Sequence, residues 1–486
     1  MNLELERQFL DSIEVAAELY ERHVERGDPV RIVSHSDADG IAAGGILSLT
    51  SLRSGVPFKT TCEVRLDEEI LKGISEEKAP LIIFSDIGSS YLDIIAKHLS
   101  DSDVIILDHH PPIEAEEGRI VHINPVSHGL DGSRGISGAG VAYLFSRRID
   151  EGNIALSPLG VVGALADQQD KGEGKSLTGL NRRIEEEAKE AGLLETRTDI
   201  TLYGYETRPL YRALAYTTNP YIPGLSGRED RCLAFLKELG IELKREGRWR
   251  ALRDLTEEEK RSLFSALSQH MIQEQCSVEA IHELIGKVYT FKKEEAWTPM
   301  RDGREYASLL NACARMERPS LGIAVCLGDR GSAVEEAEAT LNEYRRKIAE
   351  YLDLVRERAS IVEMENIYAL SAQDEIDDRI IGVVASILIS TGILKKKMPI
   401  VALAKAEGGL LKVSGRLTDE LAMEGINLGK VMMEAAERFN GRGGGHDIAA
   451  GAFIQEIYED EFIRLVNRLV GEQRKARGTH NFKIQL

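Results

Sequence analysis

Three short apolar segments in the first 110 residues are each followed directly by acidic or histidine side chains. The segments span residues 31–34, 81–85 and 104–107, and helical stretches such as 41–52 lie between them. Strands that alternate with helices predict a parallel α/β sheet with both faces covered. The carboxyl ends of parallel strands meet at one edge of the sheet, where ligands bind in folds of this kind. The side chains expected to meet at that edge are His35, Asp37, Asp39, Asp86, Asp108, His109 and His110.

The first of these strand ends carries an alternating pattern. His35, Asp37 and Asp39 are separated by single residues, and side chains two apart in an extended chain point the same way. Gly40 then allows the backbone to turn before the following helix. A further acid, Asp167, ends an apolar helical segment. One acid at a strand end is often an ordinary helix cap, but capping does not explain the whole set, which predicts a functional site.

The chemistry of the set favours two divalent cations. Mixed carboxylate and imidazole ligands suit Mn²⁺ well and Mg²⁺ less well, because imidazole is a poorer ligand for the harder ion. Six ligands are too many for one small cation with open positions, but they fit two cations that share a carboxylate. The five cysteines are scattered without a CxxC pair, so no zinc–thiolate site is expected.

The 486-residue chain is too long for one core, and its composition changes along its length. We predict a metal-binding α/β domain over residues 1–194 and a mostly helical insertion over 195–300. Residues 301–358 are predicted to return to the first domain and to form a long charged linker helix. A second, smaller α/β domain is predicted over 359–486, with strands near 367–371, 399–404 and 410–414 and a glycine-rich turn at 441–446.

Charge and hydropathy limit the partners and the location. The net charge of −19 argues against tight non-specific binding to duplex nucleic acid, although bound cations would supply positive charge where a phosphate docks. No apolar run approaches the roughly 18–20 residues of a membrane helix, and the acidic, amphipathic N-terminus does not resemble a signal peptide. A cytoplasmic protein without a membrane partner is therefore expected.

The residues also match a known family. HxDxDG at 35–40, the strand-end Asp86, DHH at 108–110 and ADxxD at 166–170 resemble the four motifs of DHH phosphoesterases. Ser414-Gly415-Arg416 and the GGGH segment at 443–446 resemble the associated DHHA1 domain. The segment YGYETRPLYRALAYTTNPYIPGLSG and the insertion that follows it resemble archaeal RecJ-like nucleases, including the type that associates with the replicative GINS complex. The resemblance spans nearly the whole chain.

The resemblance implies a role for each residue of the site. His35 and Asp37 would bind one cation, Asp39, His109 and Asp167 the other, and Asp86 would bridge the two. His110 would face the scissile phosphate as an electrophile or proton donor, and Asp108 would orient a ligand histidine. Asp170 is either a supporting acid or a simple helix-end residue. The substrate would be bound by Ser414, Arg416, Arg442, Gly443, Gly444, Gly445 and His446, through arginine side chains and the backbone N–H groups that glycines expose.

These features lead to an expected function with open alternatives. The favoured one is an exonuclease on single-stranded nucleic acid, with DNA degraded 5′→3′, acting in archaeal replication or repair with GINS and the replicative helicase. An RNA-directed exonuclease, or a nano-RNase or similar oligonucleotide phosphodiesterase, is the alternative within the enzyme class. A replisome scaffold is the non-enzymatic alternative, because some eukaryotic relatives of this fold have lost catalysis. The presence of all six ligands and His110 speaks against a purely structural role.

Overall fold

The structure is a computed structural model that describes residues 3–114, 119–217, 220–276, 278–358, 361–390, 394 and 397–481. The chain forms two compact units, Met1–Leu341 and Asn342–Leu486. Among the described helices, none is both long enough and apolar enough to cross a membrane.

A five-stranded parallel sheet organises the first unit, as the alternating pattern predicts. Its strands lie in the order β2-β1-β3-β4-β5, and helices connect them. The strands are β1 (Val30–His35), β2 (Phe58–Glu63), β3 (Leu81–Ser85), β4 (Asp103–Leu107) and β5 (Ile120–Ile123). The helices of this part are α1 (Leu3–Arg26), α2 (Ala38–Arg53), α3 (Glu68–Glu76), α4 (Leu92–His98), α5 (Gly138–Ile149), α6 (Ser157–Ala166) and α7 (Gly179–Glu190).

The strand order places a crevice between the ends of β1 and β3. The chain leaves β1 for β2 on one side of the sheet and returns to β3 on the other, so the connections diverge there, and this is the position where open α/β sheets bind ligands. In register, Ser34 pairs with Ser85, and Ser85 pairs with Leu107. The polar residues that follow these three strands therefore leave the sheet at the same level.

The middle region is mostly helical, as predicted, and has a hydrophobic core of its own. Two strands that the sequence did not indicate, β6 (Leu194–Ile200) and β9 (Ile285–Phe291), pair antiparallel and bracket it. Between them lie α8 (Leu210–Tyr216), α9 (Glu229–Glu238), the hairpin β7 (Lys244–Arg245) and β8 (Arg248–Trp249), α10 (Glu257–Gln273) and α11 (Val278–His282). The chain then returns through α12 (Gly303–Arg315) and α13 (Pro319–Cys326), which pack against α2, and continues into α14 (Ser332–Arg358).

The second unit is built on a mixed six-stranded sheet in the order β10-β11-β12-β13-β15-β14. Its strands are β10 (Ile361–Glu363), β11 (Tyr368–Ser371), β12 (Ile400–Ala406), β13 (Leu410–Arg416), β14 (Arg442–Gly445) and β15 (Ala449–Gln455). Its helices are α15 (Ile381–Ser390), α16 (Asp419–Met423), α17 (Leu428–Glu437) and α18 (Glu459–Asn481).

The prediction of a glycine-rich turn at 441–446 is wrong for most of that segment. Residues 442–445 form the edge strand β14, which pairs with β15 and lies against α17. Glycine is required because the backbone passes close to that helix, and a side chain at Gly443 would collide with the Met432 carbonyl. Gly445, at φ +127°, then begins the turn into β15.

Candidate metal centre

Six side chains from the carboxyl edge of the parallel sheet and the end of α6 converge. His109, directly after β4, places its Nε2 3.1 Å from Asp86 Oδ1, 3.8 Å from Asp39 Oδ2 and 3.9 Å from Asp167 Oδ2. His35, at the end of β1, places its Nδ1 3.1 Å from Asp37 Oδ2 and 3.4 Å from Asp86 Oδ2. Asp86 therefore lies between two histidines, with one oxygen towards each.

The ligand atoms form two groups, each with spacings that suit one cation. Atoms of His35, Asp37 and Asp86 lie within 4.8 Å of one another, as do atoms of Asp39, His109 and Asp167. A third set joins Asp86 to Asp108, His109 and His110. Asp86 belongs to the first and third of these groups, and its Oδ1 lies 3.1 Å from the Nε2 atom of His109 in the second.

Asp86 provides the test of whether these residues suit a metal. Its residue surface is only 2% exposed, and within the described chain neither carboxylate oxygen accepts a hydrogen bond of good geometry. The Nδ1 atom of His35 is also buried and makes no hydrogen bond of good geometry within the described chain. A buried carboxylate without hydrogen bonds is strongly unfavourable unless another charge compensates it. Oxygen and imidazole donors arranged in this way fit Mn²⁺ or Mg²⁺.

Helix α5 begins against the centre and holds Asp39. The backbone N–H groups of Gly138 and Ala139 donate to Asp39 Oδ2 and Oδ1 at 2.7 and 3.0 Å. The positive end of a helix stabilises a carboxylate in this position. Asp37 in turn caps α2 by accepting from Gly40 N–H at 2.9 Å. Both acids are therefore fixed by backbone groups and are not free to turn away.

Two glycines leave room for the carboxylates. A Cβ atom at Gly138 would lie 2.5 Å from Asp86 Oδ1, and one at Gly163 in α6 would overlap Asp39 Oδ1 and the Ala139 Cβ. Asp86 itself has φ +58°, a left-handed conformation that is uncommon outside glycine. Strain of this kind persists where the surrounding structure enforces it, and it clusters at functional sites.

The two consecutive histidines are oriented differently. His109 donates from Nδ1 to the Gly132 carbonyl at 2.6 Å, which turns Nε2 towards the carboxylates, as is usual for metal-ligating histidines. Asp108 Oδ1 accepts from His110 Nδ1 at 2.8 Å, and Asp108 Oδ2 accepts from Ser89 N–H at 2.9 Å. Asp108 thus orients the ring of His110, whereas a backbone carbonyl orients the ligand His109. His110 retains a side-chain exposure of 32%.

The pKa values of both histidines in the two ligand groups and of Asp39 are raised. Burial alone would lower the pKa of His109, but Asp86, Asp167 and Asp39 outweigh it and raise that pKa well above its usual value. The pKa of His35 is raised in the same way, against burial, by Asp37 and Asp86. Burial and the charge of Asp86 raise the pKa of Asp39 well above its usual value. A cation that binds here must displace protons.

We therefore expect Mn²⁺ binding to release protons and to tighten as the pH rises, because the raised pKa values of His35 and His109 keep both imidazoles protonated in the cation-free protein at neutral pH. Isothermal titration calorimetry in buffers of different ionisation enthalpy measures the released protons directly. His282→Gln, which removes a histidine of α11, is the control and should leave the release unchanged. An affinity that is independent of pH would show that the imidazoles are not ligands.

Asp170 does not belong to either ligand group. Its Oδ2 accepts from Arg304 Nη2 at 2.6 Å, an ion pair that ties the end of the α6 segment to α12. Sequence reasoning left the role of Asp170 open, and it missed the partners of the ligands. Three residues hydrogen-bond to candidate ligands, namely Gly132, Gly138 and Gln169. Gly163 leaves space for Asp39, and Asn181 donates to Gln169. Sequence reasoning also missed Arg315 in α12. The pKa of Asp37 lies well below its usual value, because the neighbouring His35, the Gly40 N–H and Arg315 together outweigh the effect of burial, which raises it.

The predicted substrate-binding residues lie in the second unit, on β13 and β14. Ser414 and Gly444 both pair with Gly451 of β15, so they occupy one row across three strands. Arg416 donates from Nε to Ser386 Oγ at 3.0 Å. The turn after β14 is closed by His446 N–H, which donates to the Ala449 carbonyl at 2.9 Å. Arg442, Gly443 and Gly445 complete the edge strand.

Two families match parts of the chain. The DHH-CID domain matches residues 202–285, within the middle region, and the DHHA1 domain matches residues 365–472 of the second unit. An uncharacterized protein of Methanocaldococcus jannaschii is 32% identical over 450 residues, which is 91% of this chain and 94% of that protein. A putative prophage-derived single-strand DNA-specific exonuclease of Bacillus subtilis, YorK, is 29% identical over 147 residues, 29% of this chain and 25% of that protein.

Solved structures share the fold. RecJ from Thermus thermophilus in complex with Mn²⁺ matches with a TM-score of 0.57 and 19% identity, over 95% of this chain and 55% of that one. CDC45 from Entamoeba histolytica matches with a TM-score of 0.64 and 14% identity, over 95% of this chain and 99% of that one. At these sequence identities, the two matches show a similar fold.

Proposed function

The chain belongs to the DHH/DHHA1 phosphoesterase family, and on that premise we propose that it is a metal-dependent exonuclease that hydrolyses the phosphodiester bonds of single-stranded nucleic acid. The observation that carries the proposal is Asp86, whose buried carboxylate lies 3.4 Å from His35 Nδ1 and 3.1 Å from His109 Nε2 and accepts no hydrogen bond of good geometry within the described chain. A carboxylate common to two cation positions is the arrangement of two-metal phosphoesterases. The similarity to YorK supports single-stranded DNA as the substrate.

Some of these residues would hold the cations, and others would contact the substrate. His35 and Asp37 would hold one cation, Asp39, His109 and Asp167 the other, and Asp86 both. When bound, such a pair of cations activates water and neutralises the charge that develops on the phosphoryl group. His110 would contact the scissile phosphate through Nε2, since its Nδ1 bonds Asp108. A protonated imidazole favours this role, and Asp108 raises the pKa of His110 although burial opposes it.

For the substrate we propose DNA degraded from the 5′ end, with the DHHA1 unit holding further phosphates of the strand. An edge strand exposes backbone N–H groups along one side. At Gly444, where an added Cβ would meet nothing within 4 Å, a ligand can approach that backbone closely. Ser414, Arg416, Arg442 and His446 would add side-chain contacts. RNA is the alternative, and with it the activity of an oligonucleotide phosphodiesterase.

For the partner we propose an archaeal GINS complex, together with the replicative helicase. The likeness to CDC45 is one of fold alone, and the converging ligand set argues that any scaffold role accompanies hydrolysis and does not replace it. Co-elution of the purified chain with recombinant archaeal GINS on size exclusion tests the partner separately from the activity.

A labelled-substrate experiment tests the proposed reaction. With Mn²⁺, single strands labelled at the 5′ end should release label in the shortest product at once, whereas 3′-labelled strands should shorten progressively. Parallel DNA and RNA strands identify the sugar. His110→Ala should lower kcat by about 10²–10³-fold, the typical loss when one transition-state hydrogen bond is removed, with little change in KM.

His128→Gln is the matched control for His110→Ala. His128 packs edge-on against Phe9, with ring centroids 5.8 Å apart, and belongs to neither ligand group. Its replacement should leave kcat unchanged. The proposal fails if neither sugar is hydrolysed by protein that binds Mn²⁺, or if His110→Ala retains full activity.

A further inference from the structure

Gln169 is a buried amide beside the metal centre that none of the family motifs explains. It lies two residues after Asp167, and its surface is 0% exposed. Three acceptor oxygens share the two hydrogens of its Nε2: Asp167 Oδ2 at 2.8 Å, the Gly132 carbonyl at 2.9 Å and the Ile136 carbonyl at 3.2 Å. Asp167 is a candidate metal ligand, and the Gly132 carbonyl orients a second candidate ligand, His109.

Asn181, from the first turn of α7, fixes the direction of the Gln169 amide. Asn181 Oδ1 accepts from the Ser137 N–H at 3.3 Å, and Asn181 Nδ2 donates to Gln169 Oε1 at 2.6 Å. A backbone N–H can only donate, so it determines which end of the Asn181 amide is the oxygen. That choice in turn makes Gln169 Nε2 face the three acceptors. The orientation therefore follows from the backbone.

Through these bonds the pair reaches all three members of one ligand group. Gln169 contacts Asp167 directly, and it contacts His109 through Gly132, whose carbonyl accepts from His109 Nδ1. Asn181 holds Ser137, the residue before the two N–H donors that fix Asp39. The other group is fixed differently, because Asp37 is held by the Gly40 N–H at the start of α2.

We propose that Gln169 and Asn181 are positioning residues that set the spacing of Asp39, His109 and Asp167, and thereby the affinity of that cation position alone. The inference rests on the proposed two-cation centre and adds a selective control of one half of it. Partners behind metal ligands commonly change metal affinity by about 10–100-fold when they are removed. The position built on His35 and Asp37 should be insensitive to the pair.

The test measures Mn²⁺ binding and not hydrolysis. Gln169→Met keeps the length and volume of the side chain and removes its donors and acceptor. Titration calorimetry, with electron paramagnetic resonance of free Mn²⁺, should show two Mn²⁺ bound by the natural protein. In Gln169→Met one of the two should bind about 10–100-fold more weakly and the other should be unchanged. Asn181→Ala, which acts one bond further away, should weaken the same position by a smaller factor.

Gln168→Asn is the matched control. Gln168 is the neighbouring glutamine, is exposed, and has φ +54°, a conformation that asparagine tolerates. It should bind both Mn²⁺ normally. Equal weakening of both positions, no weakening of either, or a single Mn²⁺ in the natural protein would overturn the inference. If Gln169→Met does not fold, Asn181→Ala decides by the same criterion. Selective weakening in a protein that hydrolyses no nucleic acid would support this inference while the proposed function fails.

Discussion

Replacing Asp86 with asparagine is expected to lower the rate of hydrolysis by about 10³-fold while leaving the cation-free protein folded. Asparagine keeps the size of the side chain and tolerates the left-handed backbone at φ +58°. It removes the charge that, in the proposed arrangement, both cation positions share. A bound metal pair supplies several kcal/mol of transition-state stabilisation, and about 4 kcal/mol corresponds to 10³-fold in rate.

Two measurements separate this outcome from general damage. Single-turnover rates at saturating Mn²⁺ report the chemistry, and the Mn²⁺-induced rise in Tm reports binding, since a ligand that binds only the folded state stabilises it. Both should collapse in Asp86→Asn, whereas Tm without metal should stay close to that of the natural protein. Asp302→Asn is the control, because Asp302 is a buried acid that caps α12, a role that asparagine also performs. Activity within tenfold of normal in Asp86→Asn would contradict a shared carboxylate.

The second large effect is expected from a single methyl group. In Gly163→Ala the added Cβ would overlap Asp39 Oδ1 and the Ala139 Cβ. Neither can yield easily, because the Asp39 carboxylate is held by two backbone N–H groups at the start of α5. We expect Asp39 to be displaced, with a loss of at least about 10²-fold in rate, the size associated with misplacing a catalytic group by about 1 Å. Steady-state kinetics and Mn²⁺ titration measure the effect.

Gly160→Ala in the same helix is its matched control. There the new Cβ would lie 3.2 Å from Ile184 Cγ2 and 3.3 Å from the Tyr143 Cβ, close contacts with side chains that can adjust. Both substitutions gain about 1 kcal/mol of helix propensity, so this term cancels between them. Comparable activity in the two variants would mean that Gly163 does not provide the space for Asp39.

The convergence of these acids and histidines could be predicted because they directly follow the strands in the sequence. Buried strands such as β3 and β4 are continuous apolar runs, and the residues that follow them have no structural reason to be acids or histidines in such number. Parallel strand order then brings them together. Asp86 and His109 were chosen as candidate ligands in this way, from the sequence alone.

Elements with polar or ambiguous sequences could not be predicted. Strand β2 is a half-exposed edge with the sequence FKTTCE, and β6 has the sequence LETRTDI, so neither shows an apolar run. The glycines of β14 have the composition of a turn, and only the closeness of α17 shows why a strand needs them. Gln169 left no sequence signal at all, because its partners Gly132 and Asn181 lie 37 and 12 residues away along the chain.

The glycines at 138 and 163 have a consequence for recognising pseudoenzymes. Each is small because a carboxylate occupies the volume that its side chain would take. A descendant that abandoned catalysis would be released from that restriction, and larger residues at these two positions would then fill the core better than a void does. We therefore expect larger residues at these two positions to accompany the loss or displacement of the Asp86 or Asp39 carboxylate.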